Sequence, residues 1–209
     1  KAFLLENVKQ LRGHEKGRTL ATILSILRGD NIPSIPDTIP IGADARASLT
    51  TRLNYRVAYD VLSAKDFGVP QNRERVYIIG FDRDKVPAAE ERDISREILD
   101  RLRLSETKTS LGSVLEPNIS VPSKYTISDR LLAGHERRRK EHRAKGNGFG
   151  FSLFNEKSPY CNTISARYYK DGSEILIDQG DIVQNPRKLT PRECARIQGF
   201  PENFKIDAV

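Results

Sequence analysis

Apolar and polar positions along this chain follow two rhythms that change over several times. Residues 2–5 form an unbroken apolar run ended by Glu6-Asn7-Val8, the pattern of a buried strand closing on a carboxylate. In G-R-T-L-A-T-I-L-S-I-L-R-G, Leu20, Ile23, Leu24 and Leu27 recur at helical spacing, with Thr19 placed to cap the start and Gly29 the end. Residues 31–49, punctuated by Pro33, Pro36 and Pro40, read as a loop or insertion. Leu53, Tyr55, Val57 and Tyr59 then alternate with polar neighbours as a strand does, and residues 76–81 are a second short apolar run. Strand, helix, strand and strand in succession is the signature of one half of an α/β sheet.

The stretch that organises the rest is D-F-G-V-P-Q-N-R-E-R-V-Y-I-I-G-F-D-R-D, residues 66–84. If extended backbone begins at Pro70, period-2 alternation puts Gln71, Arg73, Arg75 and Tyr77 on one face, at spacings of roughly 7 Å. Such a row suits a nucleotide, because guanidinium groups offer planar donors to phosphate or base oxygens. A solvated outer face accounts for the same pattern, as an ordinary turn accounts for Glu6.

Residues 88–104 predict an amphipathic helix through Ile94, Ile98, Leu99 and Leu102. Composition shifts near Thr107, where a domain boundary is expected. Ser128 is placed to cap a helix running through Lys145 and closed by Gly146, with the charge-dense H-E-R-R-R-K-E-H-R in its middle. K-G-N-G-F-G-F follows at 145–151, its glycines letting the backbone approach a partner closely and offer amide donors, though without phosphate-loop spacing. T-I-S-A-R-Y-Y and E-I-L-I-D, separated by Lys170-Asp171-Gly172, predict a hairpin whose tip carries Arg167, Tyr168 and Lys170, basic and aromatic together. Finally R-K-L-T-P-R-E-C-A-R-I-Q-G-F-P predicts a short helix. Thr190 and Glu193 form a capping box, Pro191 takes the first position, Leu189 staples onto Cys194, and Gly199 stops it.

Composition narrows the class. Hydrophobic residues make up 37% and no apolar run reaches spanning length, so no membrane association is expected. Neither a signal peptide nor a targeting motif is evident. The net charge of +7 favours a polyanionic partner. Cys161 and Cys194 make neither a metal cluster nor a disulfide framework, which points to a reducing, cytoplasmic compartment. His135 and His142 share a helix face without further ligands, so no metal site is read. The chain opens on Lys1 and contains no Met, so it reads as a piece of a longer protein.

Three of these stretches together resemble the DNA cytosine-5 methyltransferases, with wording close to the Dcm-like members. Glu6-Asn7-Val8 resembles the family's motif VI, Gln71-Asn72-Arg73-Glu74-Arg75 motif VIII, and residues 187–201 motif IX, in the family's order. The resemblance implies a partial Rossmann-like methyltransferase sheet with helices over residues 1–106, a small strand-rich target-recognition domain over 107–185, and a motif IX helix over 186–209 linking back to the catalytic domain. It implies a target cytosine flipped out of double-stranded DNA and methylated at C5 with S-adenosylmethionine, as in restriction-modification. Glu6 would share a proton with the cytosine N3, Arg75 would hold O2, and Arg73 and Gln71 would fix the site and the DNA backbone. Burial raising the Glu6 pKa would help it donate. Lys145, Asn147 and Phe149, and then Thr163, Arg167, Tyr168 and Lys170, match the family's two recognition loops. Their wording is similar to enzymes acting on the inner cytosine of CCWGG or CCNGG.

The chain departs from the family pattern at the chemistry itself. It contains no P-C-Q nucleophile motif and no glycine-rich cofactor motif. Cys161 and Cys194 sit in the wrong segments to replace the missing thiol, so activity implies an N-terminal half or companion chain carrying P-C-Q. A non-catalytic, sequence-specific DNA-binding module is the alternative reading.

Overall fold

The structure is a computed structural model that describes residues 1–88, 92–104, 107–147, 150–180 and 183–206. The chain divides into two compact units, residues 1–62 with 74–106, and residues 63–73 with 107–209.

The first unit is built on a three-stranded sheet of β1 (Ala2–Val8), β2 (Tyr55–Ser63) and β3 (Glu74–Asp82), in the order β1-β3-β2. β1 and β3 are antiparallel, with Phe3 opposite Gly80, Glu6 opposite Tyr77 and Val8 opposite Arg75. Alternation along these strands gives the sheet two apolar faces. One face packs Val57, Val76, Ile78 and Phe3 against Leu20 and Leu24 of α1 (Arg18–Arg28). The other packs Ala58 and Ile79 against Leu99 of the helix at Ile94–Leu104, labelled α3 because Ala43–Leu49 forms α2. A sheet covered on both sides by helices is the α/β architecture that the changing periodicity predicts.

Two glycines matter for this packing. Gly80 lies under the Phe3 ring, where a Cβ would come within 2.3 Å of ring carbons. Gly29 ends α1 at φ +81°, and a Cβ there would meet the Leu53 carbonyl oxygen at 2.0 Å. Thr19 does not cap α1: the helix begins one residue earlier at Arg18, with Gly17 before it. Residues 43–49 are helical rather than part of a loop.

The second unit holds α4 (Asp129–Ala144), the single turn α5 (Tyr168–Asp171), α6 (Pro191–Ile197) and two short strands, β4 (Leu153–Phe154) and β5 (Leu176–Ile177). Ser128 caps α4, its Oγ accepting from the Leu131 amide at 3.3 Å. Thr190 and Glu193 form the capping box on α6 with Pro191 at the first position. The expected 163–178 hairpin is not formed. Asp171-Gly172 does make a turn, but Gly172 closes α5 by donating to the Tyr168 carbonyl at 3.0 Å. β5 pairs in parallel with β4 and bonds Arg187 through both backbone groups of Ile177. The unit is therefore poorer in strands than its sequence suggests. Leu111, Cys161, Tyr168, Ile175, Leu189 and Ile197 form its core. No helix among the described residues is long and apolar enough to cross a membrane.

Candidate functional site

In the first unit, the register that places Glu6 opposite Tyr77 puts Glu6 and Arg75 on the same sheet face, as a diagonal cross-strand pair. Arg75 Nε lies 2.9 Å from Glu6 Oε1, and Arg75 Nη1 donates to the Glu74 carbonyl at 2.8 Å. Nη2 makes no bond to the described residues, which leaves its donors unused. Lys9 Nζ sits 2.8 Å from both carboxylate oxygens of Glu74. These contacts hold a guanidinium rigidly beside a carboxylate. The burial expected for Glu6 is not found: its side chain is 48% exposed against 15% for Arg75, because β1 is an edge strand and β3 the central one.

Gln71 and Arg73 do not extend this row, because the strand starts only at Glu74. Gln71 is buried in the second unit, its Nε2 donating to the Ile197 carbonyl at 3.0 Å and its Oε1 accepting from the Ile164 amide at 3.3 Å. The backbone around it is also engaged: Asn72 donates to the Cys161 carbonyl at 2.8 Å, and Cys161 donates to the Pro70 carbonyl at 3.0 Å. Gln71 is therefore a buried clamp between the 163–164 segment and the end of α6, which corrects its reading as a DNA contact. Arg73 bonds Gln71 and Ala64 through its backbone, and its side chain has no partner among the described residues.

Thr163 Oγ1 donates to the Asn72 carbonyl at 2.8 Å, so this threonine is half-buried and structurally committed. Lys145 and Asn147 follow α4 on the surface, and Phe149 lies outside the described residues. Tyr168 requires a second correction. It is 6% exposed, and its hydroxyl donates to the Ile175 carbonyl at 2.7 Å and accepts from the Leu189 amide at 2.9 Å. The outward aromatic is its neighbour Tyr169, 74% exposed, which stands with Arg167 and Lys170 on the surface. Two adjacent tyrosines in a turn must point in different directions, and the sequence alone does not say which one enters the core.

Sequence reading also missed the buried ion pair behind α6. Arg187 and Glu193 are fully buried and doubly bonded, Nη1 to Oε2 at 2.8 Å and Nη2 to Oε1 at 2.9 Å. The Glu116 and Thr190 amides also donate to Glu193, each at 2.8 Å. The capping-box spacing is the signal for Glu193; nothing local to Arg187 announces its burial. Both thiols are poor nucleophiles, because burial pushes Cys161 and Cys194 up to about 12.

The fold is mixed α/β and resembles solved methyltransferase structures over part of their length. The chain is similar in structure to the Dnmt2 methyltransferase of S. pombe, with a TM-score of 0.59 and 16% identity, covering 100% of this chain and 57% of that one. Residues 47–208 match the C-5 cytosine-specific DNA methylase family, and the chain belongs to it. In sequence it is 50% identical over 205 residues to the type II methyltransferase M.SsoII of Shigella sonnei, covering 98% of this chain and 45% of that protein. It is 48% identical over 206 residues to M1.ScrFI of Lactococcus lactis subsp. cremoris, covering 99% of this chain and 44% of that protein. The chain thus spans less than half the length of these relatives.

Proposed function

We propose that this chain carries the base-holding and DNA-reading portion of a DNA cytosine-5 methyltransferase that acts in the cytoplasm on a cytosine flipped from double-stranded DNA. The observation that carries this reading is the Glu6–Arg75 pair, a carboxyl and a guanidinium held 2.9 Å apart on adjacent strands. Cytosine presents N3 and O2 side by side, and the pair complements that edge. When a thiolate adds to C6, the S–C6 bond forms and the ring's electron pair moves toward N3 and O2. Arg75 Nη2 donates to O2 and Glu6 shares a proton with N3, so the developing charge meets fixed partners. Arg73, with its free guanidinium, is assigned to the DNA backbone near the flipped nucleotide.

The thiolate is assigned to a P-C-Q segment outside this chain, because burial keeps the fully buried Cys161 and the half-buried Cys194 protonated. The family's methyl donor is S-adenosylmethionine, and the residues present do not fit it. The cleft beside Glu74, about 890 Å³, is lined by Lys9, Gln10, Arg12, Gly13, His14 and Glu74. Its one carboxylate, Glu74, is taken up by Lys9 rather than offered to a ribose or a sulfonium, and no aliphatic or phenyl side chain there can stack on adenine. No methyl-transfer step is therefore assigned to residues of this chain. The second unit is assigned to target recognition, with Lys145, Asn147, Arg167 and Lys170 toward the DNA, and Phe149 counted with them on the resemblance alone. Its wording supports the inner cytosine of CCWGG or CCNGG as target.

The test is Glu6→Gln in the complete enzyme, followed by turnover and duplex affinity. Turnover is expected to fall about 10²- to 10⁴-fold, the range for a lost general acid, with affinity nearly unchanged. Equal losses of both would remove Glu6 from the chemistry. Unchanged turnover would favour the reading as a non-catalytic DNA-binding module, which the buried thiols alone also suit.

A further inference from the structure

The most elaborately anchored surface feature of the second unit is the turn at residues 167–172. Tyr168 fixes it from below, its hydroxyl bonded to Ile175 and Leu189 in the core. Gly172, at φ +64°, packs so closely on Lys188 that a Cβ would meet its side chain at 2.6 Å. Asp171 accepts from the Ser173 amide at 3.2 Å and its hydroxyl at 3.1 Å. From the side, Arg138 of α4 reaches over: Nη1 and Nη2 both lie 3.2 Å from Asp171 Oδ2, and Nη2 lies 2.7 Å from Nδ1 of the buried His135. The side chains left without such ties are Arg167, Tyr169 and Lys170, all exposed, with Lys170 Nζ 5.9 Å from the Tyr169 ring.

Exposed ion pairs contribute little to stability, so Arg138–Asp171 is a poor device for holding the unit together. It is a good device for holding one turn in one orientation. His135 is 1% exposed and takes up one of the guanidinium's directions, which restricts the others toward Asp171. An aromatic and two cations on an immobilised turn form a surface suited to base edges and phosphates, with the ordering entropy already met before DNA arrives.

We propose that Arg138 is a positioning residue for DNA recognition: through Asp171 it orients the 167–170 turn so that Tyr169, with Arg167 and Lys170, meets the DNA. This rests on the reading of the second unit as the DNA-reading one. The test uses the complete enzyme and a pool of duplexes with a randomised central segment, scoring the motif that wild type enriches. Arg138→Gln and Asp171→Asn are each expected to lower its enrichment over random duplex about tenfold, the scale of one good base contact. The double variant is expected to lose no more than either single one, because both remove one interaction. Arg138→Lys is expected to restore part of the discrimination, and Tyr169→Ala to lose it with the pair intact. For Arg138→Gln and Asp171→Asn the turnover number on saturating DNA is expected to stay at the wild-type value, with KM for DNA raised, whereas general unfolding would lower turnover. If wild type enriches a motif and both Arg138→Gln and Asp171→Asn enrich it equally well, the positioning role is wrong and the DNA-reading assignment stands. If wild type enriches nothing, the assignment fails and the proposal fails with it.

Discussion

Arg187 and Glu193 bear the greatest electrostatic risk in the second unit. A charge taken wholly out of water is tolerable only when its partner and hydrogen bonds are complete. Here they are, with Asn118 Oδ1 accepting from Arg187 Nε at 2.9 Å and the Glu116 carbonyl accepting from Nη2 at 3.3 Å. Glu193→Gln keeps the shape but strands the guanidinium, and is expected to destabilise the unit by about 3–5 kcal/mol, the usual cost of breaking a buried pair. A urea unfolding series on the two proteins measures this. A difference under about 1 kcal/mol would mean that water enters and solvates Arg187 after the exchange. Residue-scale features of this kind were only half legible. Glu193 follows from the spacing of Thr190 and Glu193, whereas the burial of Arg187, and of Gln71 with its bonds to Ile164 and Ile197, depends on residues distant in sequence. Local alternation therefore assigned Gln71 to an outward row that the chain does not build.

Elements whose grammar is local were read well from sequence. Ser128, the Thr190–Glu193 box, Gly29 and Gly199 each satisfy or release backbone groups within a few residues, so the chain announces them. The pairing of β4 with β5 was illegible, because two two-residue strands carry too little periodicity to show which partner each will take. α4 adds a pH dependence. Burial first, then the Arg138 guanidinium, holds His135 below its ordinary value of 6.5, against an upward pull from Asp171. Below that value the unfolded chain takes up a proton that the folded one resists. The stabilisation from neutral His135 is therefore whole above about pH 6.5 and is lost as pH falls toward the depressed value, by up to about 1.4 kcal/mol per pH unit. Thermal unfolding of wild type and His135→Gln between pH 7.5 and 5.5 isolates this residue from His14 and His142. Parallel curves for the two proteins would show that His135 does not carry the slope.

At the scale of the whole molecule, β1 presents an exposed apolar sheet edge among the described residues. A sheet edge offers unpaired backbone donors and acceptors, and stable proteins commonly protect such edges with charge, proline or a covering element. β1 bonds only β3 among the described residues, and it leaves Leu4 63%, Leu5 43% and Val8 45% exposed. Glu6 lies on this same strand and Arg75 on its neighbour β3, so the proposed base-holding groups and the apolar edge are neighbours by construction. The 209-residue chain alone is therefore expected to self-associate at about 100 μM, within the range where exposed apolar edges drive association. Leu4→Lys combined with Leu5→Lys places a charge on each face of the edge strand, and should return the chain to a monomer with the β1–β3 register intact. Sedimentation velocity over a concentration series reads both proteins. A wild-type chain that stays monomeric throughout would mean that the edge is tolerated without a cover. Association that survives the double substitution would place the contact elsewhere, and the exposed Phe200 and Phe204, whose tilted rings have centroids 4.4 Å apart, would be the next surface to charge.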